Sequence, residues 1–203
     1  MTIAINTLQD AKPHPVEAVV IGASAGGVDA LLKLLSALPE HFRLPIITVL
    51  HLPAGRDSQL AAIFRKRSSI AVHEVVDKQK ISPATLYFAA PGYHLSVEKD
   101  RSFSLSCEAP VHHSRPSIDL LMKSAADAYG EKLAGILLTG ANHDGAAGLA
   151  KISQRGGFTV VQNPAEAQVA TMPEAAIRRL RPDLILRLDD IRSLLLQLDK
   201  DSC

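Results

Sequence analysis

Residues 18–28 read AVVIGASAGGV, and this stretch decides the fold of the chain. An apolar, β-branched run ends at Ile21 and passes into a glycine-rich turn that contains Ser24. After the turn, apolar side chains recur at helical spacing from Val28 until Pro39 stops the pattern. The stretch therefore predicts a strand, a glycine turn and a helix.

The same alternation of strands and helices continues along the chain. A hairpin is predicted over residues 94–107, with its turn at Lys99-Asp100-Arg101, and Asp57 or Ser58 is expected to cap a helix that begins near Leu60. The other strands are predicted at 45–50, 85–90, 133–139 and 158–161, and the other helices at 117–129, 145–155, 173–180 and 189–198. Near-continuous apolar strands that alternate with amphipathic helices predict an α/β fold, a doubly wound and mostly parallel sheet with helices on both faces and a small antiparallel hairpin.

Composition and charge narrow the class of protein. The 203 residues are 47% hydrophobic and 21% charged, which is typical of a globular chain, and we expect a tail at 1–15 and a single domain at 16–199. The 22 basic and 21 acidic residues leave a net charge of +1, which argues against a nucleic-acid partner. No window approaches the ~20 apolar residues of a membrane span, and the N-terminus lacks a secretory pattern. We therefore expect a cytoplasmic protein without direct membrane insertion.

The cysteines and histidines do not predict a metal site. Cys107 and Cys203 lie far apart in the sequence, which excludes a disulfide framework and a cysteine-ligated zinc site. The pair His112-His113 has no partners at ligand spacing, so it is interpreted as part of a solvated loop.

Three chemically active side chains follow three predicted strands. Ser24 follows the first strand within a G-x-S-x-G pattern, His51 follows the second, and Asp144 follows the strand at 133–139. Because the carboxyl ends of parallel strands meet at one edge of a sheet, we expect these side chains to lie on one rim. A serine nucleophile, a histidine base and an orienting aspartate can carry out acyl transfer without a metal or a cofactor.

Each of these residues also has a simpler interpretation. Ser24 fits a plain glycine turn or a phosphate cradle, His51 fits a solvated histidine, and Asp144 fits a helix cap. A dinucleotide site is an alternative, but the second strand ends in Leu50-His51 rather than in an acidic residue, and the G-x-G-x-x-G spacing is absent. The chain order serine, histidine, aspartate also differs from that of lipase-type hydrolases.

Motifs along most of the chain resemble those of a known family. They are VIGASAGG at 20–27, HLP at 51–53, APGYHL at 90–95, RPSID at 115–119, LTG at 138–140 with DG at 144–145, QNPAEA at 162–167 and MP at 172–173. Their order and spacing over residues 16–187 resemble the catalytic domain of the chemotaxis protein-glutamate methylesterase family, CheB.

The resemblance implies a function and assigns roles to site residues. It implies a serine hydrolase that demethylates γ-glutamyl methyl esters on the cytoplasmic helices of chemoreceptors, releases methanol and, in some members, deamidates receptor glutamines. By motif, Ser24 corresponds to the nucleophile, His51 to the base and Asp144 to the acid. No cofactor is implied, and the implied partners are methylated chemoreceptor helices. The alternative is a catalytically silent scaffold of the same fold that binds receptors.

The chain departs from the family pattern beside the nucleophile and before the aspartate. Ala25 stands where the family commonly has threonine, and residues 140–142 read GAN where a Gly-Met-Gly stretch is common. We expect the backbone N–H groups of Ala25 and Ala141 to serve as oxyanion donors. The common N-terminal receiver domain has no counterpart here, so we expect a stand-alone enzyme that is not regulated by phosphorylation of its own chain.

Three further residues are candidates for receptor contact. Tyr93 and His94 follow a predicted strand within a family motif, and Arg115 precedes a predicted helix. We expect these three side chains to contribute to substrate binding.

Overall fold

A parallel sheet of seven strands forms the centre of the computed structural model, which describes residues 14–51 and 59–201. Its strand order is β3-β4-β2-β1-β7-β8-β9, and every neighbouring pair in it is parallel. The strands are β1 (Ala18–Ala23), β2 (Ile46–Leu50), β3 (Ala71–Glu74), β4 (Thr85–Phe88), β7 (Leu133–Leu137), β8 (Phe158–Gln162) and β9 (Leu184–Leu186). A separate antiparallel hairpin pairs β5 (His94–Val97) with β6 (Phe103–Ser106).

Helices cover both faces of the sheet, because the central strands are apolar on both sides. All six residues of β1 are buried, as are all five of β2 and of β7. One apolar core joins the sheet to α1, α2 and α6, and the other joins it to α3, α4, α5 and the hairpin. The helices are α1 (Gly27–Leu35), α2 (Leu60–Arg65), α3 (Ile118–Tyr129), α4 (Ala146–Gln154), α5 (Thr171–Arg179) and α6 (Leu188–Asp201).

The predicted architecture is confirmed. The structure contains the doubly wound sheet and the hairpin, whose turn lies between Val97 and Phe103 as expected. It also has a strict parallel order, where the sequence analysis predicts a mostly parallel sheet.

Two edge strands and one helix start differ from prediction. The sequence pattern misses β3, because its residues alternate between exposed and buried and include His73 and Glu74. It also misses β9, because three apolar residues run almost directly into α6. Helix α2 begins after Gln59, whose side chain forms no capping hydrogen bond. The structure does not describe the predicted caps at residues 57 and 58. It also does not describe residues 1–13 of the predicted tail.

The helices in the described part of the chain are all too short or too polar to span a bilayer.

Candidate active site

Ser24 lies in the turn between β1 and α1. Its N–H donates to the Thr139 carbonyl at 3.0 Å, and its carbonyl accepts from Gly27 N–H at 2.8 Å. The turn passes through Gly26, whose φ of +78° is a left-handed conformation that favours glycine. The serine is thus placed at the carboxyl edge of the sheet, immediately before a helix.

The loop after β7 packs against the serine. A Cβ added at Gly140 would lie 3.0 Å from Ser24 Cβ and would clash with the terminal methyl of the buried Met172. The absence of a side chain at position 140 therefore allows the backbone after β7 to approach the Ser24 turn closely.

Thr139 connects the Ser24 turn to the segment before α5. Its hydroxyl donates to the Ala25 carbonyl at 2.8 Å and accepts from Val169 N–H at 2.9 Å. A single buried hydroxyl thus holds both loops, and it supports the backbone on the C-terminal side of the serine.

His51 is on the same edge because β1 and β2 run parallel. Ala23 pairs with Leu50, and the N–H of His51 donates to the Ala23 carbonyl at 3.1 Å. The imidazole is almost fully buried, with 9% of the side chain exposed. The backbone of His51 therefore lies next to the peptide that joins Ala23 to Ser24 in the neighbouring strand.

Asp144 is fully buried and accepts five hydrogen bonds. They come from His51 Nε2 (3.0 Å), Ser117 Oγ (3.0 Å) and the N–H groups of Ile118 (2.7 Å), Asp119 (2.9 Å) and Gly145 (3.0 Å). Burial favours a raised pKa for Asp144, but the hydrogen bonds from His51 and from the Asp119 and Ile118 N–H groups outweigh it, so the pKa is lower than its ordinary value. The acid is therefore ionised at neutral pH.

Asp144 and Asp119 each accept hydrogen bonds from the N-terminus of a helix beside the site. The Asp144 carboxylate lies at the start of α3, where it accepts from the first two N–H groups of that helix. Asp119, in the first turn of α3, in turn accepts from Gly145 N–H at 2.9 Å and Gly148 N–H at 2.7 Å at the start of α4. Negative charge is favourable at a helix N-terminus, so the pair fixes α3, α4 and the Asp144 carboxylate relative to one another.

The second nitrogen of His51 faces a serine that the sequence analysis did not select. An ionised Asp144 can only accept, so Nε2 carries the proton and Nδ1 is the free base nitrogen. Ser114 Oγ lies 3.4 Å from Nδ1. Among the described residues, none forms a hydrogen bond with the hydroxyl of Ser24. The structure thus pairs His51 with Asp144 and places Ser24 on the same edge, without a Ser24–His51 hydrogen bond.

The N–H groups of Ala25 and Ala141 are available at this edge. Both residues are exposed, and within residues 14–51 and 59–201 neither N–H has an acceptor. By contrast, the N–H of Gly140 donates to the Val169 carbonyl at 3.0 Å. The oxyanion role of Ala25 and Ala141 remains a prediction.

The three candidates for substrate contact differ in their surroundings. Tyr93 is 43% exposed. Arg115 is exposed and donates to the carbonyls of Cys107 and Glu108. These hydrogen bonds connect the two ends of the segment 107–115.

His94 does not fit the prediction of substrate contact. It is 1% exposed, its Nε2 lies 3.1 Å from the Ala109 carbonyl, and its Nδ1 accepts from Ser117 N–H at 3.1 Å. Both nitrogens are used within the protein, so we correct its role to that of a residue that positions the segment before α3.

His112 has acidic neighbours that sequence spacing does not reveal. Its Nε2 lies 3.7 Å from Asp119 Oδ2, and potential ligand atoms of His112, Asp119 and Asp144 lie within 4.8 Å of one another. Both oxygens of Asp144 already accept from protein donors, which leaves little capacity for a cation at this cluster.

Sequence reasoning missed several residues around the triad candidates. Ser117 is predicted only as the start of a helix, and it is indeed the N-cap of α3, but its bond to Asp144 has no local signal. Thr139 and Ser114 also have none, because their partners lie 30 to 114 residues away in the sequence.

The parallel α/β sheet and the serine, histidine and aspartate on its carboxyl edge define the class: they are typical of a serine hydrolase. The CheB methylesterase family model matches residues 19–195. The chain therefore belongs to the CheB methylesterase family.

Relatives and a solved structure agree with this assignment. A protein of Leptospira interrogans is 44% identical over 186 residues, which cover 92% of this chain and 96% of the relative. A protein-glutamate methylesterase/protein-glutamine glutaminase of Clostridium acetobutylicum is 32% identical over 87% of this chain, but the match spans only 51% of that relative. The crystal structure of the Thermotoga maritima CheB methylesterase catalytic domain matches with a TM-score of 0.85 at 30% identity, over 90% of this chain and 98% of that one.

Proposed function

We propose that this chain is a protein-glutamate methylesterase that hydrolyses γ-glutamyl methyl esters on the cytoplasmic helices of chemoreceptors. Membership of the CheB methylesterase family supports this reaction, as do the names of relatives in Clostridium acetobutylicum and Carboxydothermus hydrogenoformans. Those names join methylesterase with glutaminase activity, so we also propose deamidation of receptor glutamines by the same site.

In the proposed mechanism, Ser24 is the nucleophile. Its Oγ attacks the ester carbonyl while His51 Nδ1 takes the hydroxyl proton, and the carbonyl electrons move to the oxygen. Asp144 keeps the proton on Nε2 before the reaction and stabilises the imidazolium during it. The N–H groups of Ala25 and Ala141 are the proposed oxyanion donors, and loss of one such donor is expected to slow the reaction ~10²–10³-fold.

Collapse of the tetrahedral intermediate completes the first half of the reaction. The imidazolium returns its proton to the departing methoxide, so methanol leaves and a glutamyl ester with Ser24 remains. Water then attacks this ester with His51 as base, which regenerates the serine and releases the glutamate carboxylate. With a glutamine substrate the leaving group is ammonia, and the later steps are the same.

The observation that carries the proposal is the hydrogen bond between His51 and the ionised, buried Asp144 at the strand edge that also bears Ser24. Buried carboxylates are costly unless they are paired and hydrogen-bonded. A histidine held by such an acid, on the strand edge that also bears Ser24, suits proton transfer from a nucleophile.

The test measures methanol release from methylated receptor membranes. We expect release by the parent and by Ser193→Ala, an exposed serine change on α6, and none by Ser24→Ala. A fluorophosphonate probe should label the parent and Ser193→Ala but not Ser24→Ala. An unlabelled parent that also releases no methanol would reject the proposal and favour a silent scaffold.

A further inference from the structure

A trough runs along the helix layer formed by α3, α4 and α5. It consists of two adjoining cavities of about 360 and 560 Å³, and both are lined by Ala147 of α4 and Arg179 of α5. The first cavity lies toward the start of α4 and is also lined by His143, whereas the second is also lined by Gln154 at the end of α4. The two cavities therefore adjoin at Ala147 and Arg179, and together they are called the trough here.

The trough begins beside residues that adjoin or hold the buried Asp144. His143 immediately precedes Asp144, and Asp119, which also lines the first cavity, donates its N–H to the Asp144 carboxylate at 2.9 Å. Helices α3 and α4 both start at this edge and run away from it. The nine residues of α4 correspond to about 13 Å, so the trough offers room for roughly two to three turns of a second helix.

The charged side chains along the trough are mainly basic. The trough is lined by four cations and two acids. The cations are Lys123, Lys151, Arg178 and Arg179, and the acids are Asp119 and Asp127. This is an excess of two positive charges on one surface of a chain whose total net charge is +1.

Most of the charged side chains in the trough are paired with one another or with a neighbouring residue. Asp119 is buried and accepts from two N–H groups of α4, and Lys123 lies 3.6 Å from its other oxygen. Asp127 pairs with Lys151 at 3.6 Å and with Arg155. Arg179, at the junction of the cavities, is exposed and has no acidic partner within the described parts of the chain. Arg178, in turn, pairs with Glu174 at 3.3 Å. With the partners Arg155 and Glu174 included, five cations face three acids, so the trough keeps an excess of two positive charges.

We propose that this trough is the docking surface for the glutamate-bearing helix of the receptor. The inference rests on the proposed function, because hydrolysis of glutamyl esters requires a helix that carries glutamates and increases its negative charge. A basic trough that starts beside Asp144 attracts carboxylates on neighbouring turns of that helix while one modified side chain reaches Ser24. Such complementarity raises the association rate and fixes the register more than it adds affinity.

The test is a binding measurement that needs no hydrolysis. The probe is a synthetic two-stranded coiled coil with glutamate at its exposed positions, and a coiled coil with lysine there is the comparison. Binding is measured by fluorescence anisotropy at 50 mM and 300 mM NaCl. The variants are Lys151→Glu/Arg179→Glu in the trough and the matched control Arg192→Glu/Lys200→Glu on α6, which covers the opposite face of the sheet. Both double variants change the net charge equally.

We expect the parent and the α6 control to bind the glutamate probe, more weakly at the higher salt, and not the lysine probe. The trough variant should bind at least ten-fold more weakly, a change of about 1.4 kcal/mol. Equal binding by the trough variant, or no binding by the parent, would overturn the docking proposal. Methanol release by the parent decides the proposed function separately, so the two failures are distinguishable.

Discussion

Replacing Asp144 by asparagine tests the buried acid with little change in shape. The carboxylate accepts hydrogen bonds from five donors, of which three converge on Oδ1 and two on Oδ2. We expect the asparagine oxygen to take the Oδ1 position, so that its NH₂ group faces Ile118 N–H and His51 Nε2. One buried N–H then lacks an acceptor, and the remaining bonds lose their charge, which costs about 2–4 kcal/mol of the free energy of unfolding.

The same change should also abolish most of the reactivity of Ser24. Without an anionic acceptor at Nε2, His51 adopts the wrong tautomer, and such a loss lowers rates ~10⁴-fold in a comparable serine triad. Urea unfolding measures the stability, and the rate of labelling by a fluorophosphonate probe measures the reactivity of Ser24. Ser24→Ala is the control, because it should lose labelling while its unfolding free energy stays within about 0.5 kcal/mol of the parent. Asp144→Asn labelling above one tenth of the parent rate, or stability within about 0.5 kcal/mol of it, would refute the reasoning.

Acid titration of stability gives an independent test of the same residue. Because the folded-state pKa of Asp144 is lowered, its ionisation adds stability that is fully present above the unfolded pKa near ~3.9 and is lost as the pH falls through the folded pKa. The contribution of Asp144 to the difference in unfolding free energy between the parent and Asp144→Asn should therefore shrink as the pH falls below about pH 4. A difference that grows as the pH falls below about pH 4 would contradict this sign.

Three further variants test the surroundings of the site. Ser114→Ala frees His51 Nδ1 of a competing hydroxyl, so fluorophosphonate labelling should become about two-fold faster, given the weak bond at 3.4 Å; slower labelling would mean that Ser114 assists the base. Thr139→Val removes the hydroxyl that joins two loops and should cost about 1–2 kcal/mol in urea unfolding, whereas Thr139→Ser should retain the parent stability. Equal losses in the valine and serine variants would count against the hydrogen bonds. Gly140→Ala forces a methyl against buried Met172 and should cost about 1–3 kcal/mol in the same assay; a loss below about 0.5 kcal/mol would show that the methionine tip moves aside.

Much of the architecture is predictable because it rests on local patterns. The strand, turn and helix around Ser24 follow from an apolar run, glycines and helical spacing within about twenty residues. The two strands that the sequence pattern misses, β3 and β9, lack such a local pattern. At the sheet edges β3 is half exposed and β9 is three residues long, so neither has the long buried run that marks the central strands.

The shared edge of Ser24, His51 and Asp144 follows from the sequence combined with one geometric rule. Each residue comes after a strand, and parallel strands end on the same side of a sheet. This places the residues together without determining their hydrogen bonds.

The sequence alone thus determined the layered fold, the family resemblance and the edge on which the candidate triad lies. Only the tertiary structure decided which donors surround Asp144, that His94 is buried and bonded to backbone groups, and that Ser114 rather than Ser24 faces His51 Nδ1. The physical reason is that a hydrogen bond requires two groups to meet within a few tenths of an ångström. His51 and Asp144 are 93 residues apart, so their contact depends on how whole strands and helices pack, which local sequence patterns do not encode.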